Sequence, residues 1–90
     1  MFEGLGRKAP ALLWSLKVQQ KMAQAGFDWS EIPAVAGKVR DELDELAQAQ
    51  VNDDHDNIEE EIGDVLFTMT NLARHLKVNP ETALRRSTMK

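Results

Sequence analysis

Apolar residues recur along this chain at the spacing of amphipathic helices, and the pattern is strongest over about residues 57–76. There Ile58, Ile62, Val65, Leu66, Met69, Leu72, Ala73 and Leu76 share one arc, while Glu61, Asp64, Thr68, Asn71 and His75 form a polar stripe. At roughly 100° per residue the stripe is displaced from the centre of the arc by about 110°. Phe67 flanks its other side. A preceding helix is expected over about 34–50, opened by Pro33, with Val35, Val39, Leu43, Leu46 and Ala47 on its apolar arc. Its polar stripe, Lys38, Glu42 and Glu45, is displaced by about the same angle in the same sense. Asp44 and Gln48 fall on the solvated far side. A short connection makes the two helices antiparallel neighbours, and stripes displaced alike then lie on the same side of the pair. The four carboxylates of Glu42-x-x-Glu45 and Glu61-x-x-Asp64 are therefore expected to converge.

Two further helices complete the pattern. The first is expected from about Ala9 to Ala25, with Pro10 in its first turn, Leu12, Leu13, Leu16, Met22 and Ala23 on its apolar side, and Gly26 to end it. Phe27 and Trp29, in the turn Gly26-Phe27-Asp28-Trp29-Ser30, are expected to fold back on the bundle. The polar run Asn52-Asp53-Asp54-His55-Asp56 connects the second helix to the third and caps the third. Asn79 is a good N-cap and Pro80 a good first residue for a fourth helix. Its Ala83, Leu84 and Met89 would face the bundle, and Arg85, Arg86 and Lys90 make a basic end. Residues 1–8 read as a loose arm. The expected fold class is all-α, a bundle of about four helices forming one domain over residues 1–90.

Charge narrows the partners. Fifteen acidic against eleven basic residues give a net charge of −4, which argues against a sequence-independent grip on nucleic acid, so no DNA binding is expected. The chain has no cysteine, which removes disulfides and thiolate metal sites and suits a reducing cytoplasm. No stretch is long enough to span a bilayer, and Met1-Phe2-Glu3-Gly4 lacks the basic start and apolar run of a signal peptide. A soluble cytoplasmic protein is expected. Ninety residues are few for a self-sufficient core, so a partner chain fits the size.

Oxygen ligands clustered without Cys, and with no His in either pair, suit a hard divalent cation, Mg²⁺ or Mn²⁺ in its place. Mg²⁺ keeps some of its waters and takes up substrate phosphates, which would favour phosphoryl or nucleotidyl chemistry. The pattern leaves a second reading open, in which the acidic faces are simply solvated. Lys38, one turn before Glu42, likewise reads as an ordinary helical Lys–Glu pair or as a phosphate contact. Trp14 and Trp29 read as core or interface aromatics or as base-stacking groups. His55 and His75 read as a loop residue and a stripe residue rather than ligands.

The segments Lys38-Val39-Arg40-Asp41-Glu42-Leu43-Asp44-Glu45-Leu46, Glu59-Glu60-Glu61-Ile62-Gly63-Asp64-Val65-Leu66-Phe67 and Asn71-Leu72-Ala73-Arg74-His75-Leu76 together resemble the MazG family of nucleoside triphosphate pyrophosphohydrolases. That family carries EExxE followed, after a spacer, by ExxD. The resemblance extends over Ala11-Leu12-Leu13, Gly26-Phe27-Asp28-Trp29 and Pro80-Glu81-x-Ala83-Leu84-Arg85-Arg86, nearly the whole chain, and is nearest to the C-terminal of the two domains in long members. It implies an all-α fold that dimerises into a helical bundle, and Mg²⁺-dependent hydrolysis of a nucleoside triphosphate to the monophosphate and pyrophosphate. It also implies that Glu42, Glu45, Glu61 and Asp64 are catalytic metal ligands, and that Lys38 and Lys90 contact the triphosphate. The sequence departs from the family in two places. Asp41 stands where EExxE has its first Glu, and Thr88 and Lys90 stand where the family has an Asn and a Lys before an aromatic and basic run.

Two functions from different classes follow. One is a homodimeric, or higher homo-oligomeric, Mg²⁺-dependent pyrophosphohydrolase. The other is a non-catalytic helical dimerisation or regulatory module that keeps the same fold. A di-iron carboxylate bundle is disfavoured because neither Glu42 nor Glu61 has a His three residues on.

Overall fold

The structure, a computed structural model, describes residues 10–28 and 31–90. Four helices run through them: α1 (Ala11–Gln24), α2 (Ile32–Val51), α3 (His55–His75) and α4 (Pro80–Thr88). The arm over residues 1–8, and Ala9, Trp29 and Ser30, lie outside the described residues.

The first three helices stop in the same way. After α1, Gly26 adopts φ 91°, its N–H donates to the Ala23 carbonyl at 3.0 Å, and the Phe27 N–H donates to the Met22 carbonyl at 2.9 Å. This left-handed cap satisfies carbonyls that the helix end would otherwise leave unpaired, and glycine takes that φ without a Cβ penalty. Asp53 and Lys77, at φ 52° and 64°, serve the same role after α2 and α3. The next helices restart on side-chain caps: Asp54 accepts the Asn57 N–H, and Asn79 accepts the N–H groups of Glu81 and Thr82. The polar connection is shorter than the sequence suggests, because α3 begins at His55, and α2 begins at Ile32 with Pro33 inside its first turn.

α3 is the axis of the molecule. α2, α1 and α4 each pack on it, α1 also meets α4, and α2 meets α3 alone. On α2, Val35, Val39, Glu42 and Ala49 are buried and Leu46 is half-buried. These five span an arc of about 80°. On α3, Ile58, Glu61, Val65, Thr68 and Leu72 are buried or half-buried and span a similar arc. Both contact faces are turned towards the polar stripes, so Glu42 and Thr68 lie inside the seam. The expected apolar arcs lie partly outside it. Leu43, Ile62, Leu66, Met69 and Leu76 are 44–51 % exposed, and Ala47 is exposed too. The edge they form is open because, among the described residues, α3 is the helix that packs on α2.

Two other expectations are corrected. Phe27 is 72 % exposed instead of folding back on the bundle. Ala83, Leu84 and Met89 are exposed, because α4 meets the bundle through its N-terminal end, where Pro80 is buried. The hydroxyls buried on α3 are satisfied within the helix: Thr68 donates to the Asp64 carbonyl at 2.8 Å and Thr70 to the Leu66 carbonyl at 3.0 Å.

Candidate metal centre

The α2–α3 seam brings the two acidic pairs together. One carboxylate oxygen from each of Glu42, Glu45 and Glu61 lies within 4.8 Å of the others. Glu42 is 5 % exposed, Glu61 half-buried and Glu45 exposed. The fourth expected ligand, Asp64, is outside that close set but lines the same cavity as Glu42. This cavity, of about 300 Å³, is bounded by Lys38, Glu42, Asp64, Phe67, Thr68 and Asn71.

Lys38 is the cation facing these acids. Its Nζ lies 2.9 Å from Glu42 Oε1, one helical turn away. Its hydrogen bond to Glu42 raises the Lys38 pKa and holds the Glu42 carboxyl below its ordinary value. Glu61 moves the other way: burial raises its pKa first, and the like charges of Glu45 and Asp64 raise it further. One lysine does not balance three close carboxylates.

The remaining oxygens give a test of whether a cation fits. Glu42 Oε2 and Glu61 Oε2 are buried with no hydrogen-bond partner. Buried carboxylate oxygens are ordinarily paired or bound to metal. Carboxylate oxygens without a thiolate or imidazole match the hard-ligand preference of Mg²⁺ and Mn²⁺. The donor set fits such an ion.

Lys90, the other expected phosphate contact, is exposed and lines a separate depression with Ala83, Arg86 and Ser87. It shares no residue with the carboxylate cavity. His55 starts α3. His75 instead enters a network that sequence spacing does not reveal. Asp28 Oδ1 accepts from Arg74 and lies 3.0 Å from His75 Nε2, while Arg74 also donates to Asn71 Oδ1 at 2.8 Å and 3.2 Å. This clamp ties the chain after α1 to the last turn of α3 and fixes Asn71 at the rim of the cavity.

The MazG nucleotide pyrophosphohydrolase domain model matches residues 30–90, which include all of α2, α3 and α4. The chain is 44% identical over 81 residues to the nucleoside triphosphate pyrophosphohydrolase/pyrophosphatase MazG of Thermotoga maritima, covering 90% of the chain and 31% of that protein. It is 41% identical over 92 residues to the nucleoside triphosphate pyrophosphohydrolase of Escherichia coli K12, covering 98% of the chain and 34% of that protein. The chain thus spans about a third of the length of these curated relatives. No helix among the described residues is long and apolar enough to cross a membrane. With both acidic pairs inside the matched region of an all-α fold, the chain belongs to the MazG nucleotide pyrophosphohydrolase domain family.

Proposed function

We propose that this chain hydrolyses nucleoside triphosphates to the monophosphate and pyrophosphate, with Mg²⁺ held by Glu42, Glu45 and Glu61 and with Asp64 adding charge from the same cavity. The observation that carries this reading is the pair of buried, unpartnered oxygens, Glu42 Oε2 and Glu61 Oε2, beside a cavity that also holds Lys38. The names of the relatives supply the substrate class. When bound, the cation would offset the carboxylates, screen the triphosphate and lower the pKa of an attacking water. Lys38 Nζ, released from Glu42 as that charge is offset, would turn to a phosphate oxygen as a point charge. Phe67 walls the cavity on its apolar side, and Asn71, held by Arg74, keeps its amide nitrogen for the ligand. In-line attack of water on phosphorus then leaves pyrophosphate as the departing group.

The opposite edge of the α2–α3 pair supports a homodimer. Leu43, Ile62, Leu66 and Met69 are each 44–51 % exposed and follow one another on the face that a helix bundle buries. Pairing there would leave the carboxylate edge free.

Purified protein with Mg²⁺ is expected to release pyrophosphate from at least one member of a panel of nucleoside triphosphates, and to sediment as a dimer. A folded dimer that is silent across the panel would sink the catalytic reading and leave the helical dimerisation module. A monomer at micromolar concentration would remove the pairing.

A further inference from the structure

Between the second half of α1 and the α3–α4 connection lies an open groove of about 640 Å³ that shares no residue with the carboxylate cavity. Arg74 and Lys77 line it together with the amide residues Gln20, Gln24 and Asn79. Aliphatic side chains complete the lining, and among the described residues that form it there is neither a carboxylate nor an aromatic ring. Sites for small molecules run to roughly 300–1,000 Å³, with a few polar groups setting the ligand. In a chain of net charge −4, a groove whose charged residues are both cations is suited to an anion.

Arg74 is the most informative group in the lining. Its Nε and Nη2 both donate to Asn71 Oδ1, at 3.2 Å and 2.8 Å. Its contacts with Asp28 and His75 also leave from Nη2. Of the five N–H donors of a guanidinium, the pair on Nη1 therefore bonds no described residue, and the side chain keeps 17 % of its surface in water. One edge of the fork is committed to the clamp, and the other is open. Such an edge matches two oxygens of a phosphate. Lys77 is exposed, and its ammonium makes no ion pair with any described residue. The committed edge matters as well, because Asn71 lines the carboxylate cavity. Arg74 is thus a single side chain that lines one cavity and holds a residue of the other.

Resting on the triphosphate reading of the carboxylate cavity, we propose that this groove is a regulatory site for a small sugar phosphate. The phosphate meets Arg74 Nη1 and Lys77, and the side chains of Gln20, Gln24 and Asn79 take the hydroxyls. The lack of an aromatic ring to stack a base favours a sugar phosphate over a nucleotide. Because Nη1 is open, the phosphate adds to the bonds on Asn71 without replacing them. It pins Arg74, keeps Asn71 oriented at the rim of the carboxylate cavity and so tightens triphosphate binding there.

The test begins with calorimetry on the full chain in EDTA, since the groove has no carboxylate to hold a cation. Ribose 5-phosphate is expected to bind with a Kd below about 1 mM, inorganic phosphate several-fold more weakly, and ribose not at all. Lys77→Asn removes the charge yet accepts the left-handed backbone that Lys77 holds at φ 64°, and should weaken ribose 5-phosphate about tenfold. Glu61→Gln should leave it unchanged. No binding, or equal binding of ribose, overturns the site in the native protein, and so does indifference to Lys77→Asn. Inorganic phosphate binding as tightly as ribose 5-phosphate overturns the sugar phosphate as its ligand. With Mg²⁺ and a triphosphate, ribose 5-phosphate should lower KM about fivefold with kcat unchanged, and Arg74→Met should abolish that response. An unmoved or raised KM overturns the regulatory link. A protein silent towards triphosphates that still binds ribose 5-phosphate in EDTA overturns the triphosphate reading and the link resting on it, and upholds the anion site.

Discussion

Near the C-terminal end of α3, the Asp28 carboxylate meets Arg74 and His75, and Arg74 reaches on to Asn71. About 20 Å earlier along the same helix, Glu61 meets Glu42 and Glu45, with Lys38 bonded to Glu42. Each cluster holds groups drawn out of water, Arg74 and His75 in the first and Glu42 in the second. They differ in closure. Around Asp28, opposite charges and amides answer one another, as a structural clamp requires, since an ion pair removed from water needs its remaining polar atoms satisfied. Around Glu61, like charges crowd, and two oxygens are left buried without partners. An arrangement that costs stability in the free protein and is repaired by a cation is the mark of a binding site.

Substitution at Glu61 gives the largest expected effect. Glu61→Gln keeps the shape and removes the charge, and turnover should fall by at least about a hundredfold, because even outer-shell partners of metal ligands commonly cost 10–100-fold. The metal-free variant should melt higher than wild type, because the repulsion from Glu45 and Asp64 is gone. Retained turnover takes Glu61 out of the site, and a lower melting temperature shows that its carboxylate was already satisfied. Arg74→Met probes the closed cluster and should do the reverse. Loss of the bonds to Asp28 and Asn71 should cost about 1–3 kcal/mol in urea unfolding while Mg²⁺ affinity stays unchanged. Mg²⁺ affinity that falls along with stability would show one coupled network in place of two.

The open cluster was legible in the sequence, and the closed one was not. Period and direction of displacement place Glu42, Glu45 and Glu61 together from spacing alone, since both pairs sit on helices joined by a short turn. The helix ends were legible for a related reason: Gly26, Asp54 and Asn79 act through local backbone chemistry. Burial was not. Periodicity assigns apolar residues to the inside, yet Leu43 and Leu66 stand half outside while Glu42 and Thr68 lie within. The face that α2 and α3 bury against each other is set by tertiary packing, a choice with no one-turn signature. The clamp spans 46 residues from Asp28 to Arg74, and the Gln19 contact to Phe67 spans 48. Neither spacing leaves a periodic trace.

The smallest expected effect is in pH, and its sign separates the two clusters again. Glu61 binds its proton more tightly folded than unfolded, because burial and then Glu45 and Asp64 disfavour its charge. Between its unfolded and its raised folded pKa the native state therefore holds more protons, so this group adds stability as pH falls through that window. Glu42, held low by Lys38, acts oppositely: its contribution is present above its unfolded pKa and lost as pH falls through the folded one. The metal-free protein should gain melting temperature on first acidification from neutral, then lose it. Mg²⁺ affinity should weaken over the same first step, because the ion needs Glu61 ionised. In Glu61→Gln the early gain should vanish while the later loss remains. Melting curves with and without Mg²⁺, taken across the carboxylate range, read both slopes. Parallel slopes in the two conditions would mean that the cation and the Glu61 proton do not compete, and that the open cluster is only a solvated acidic face.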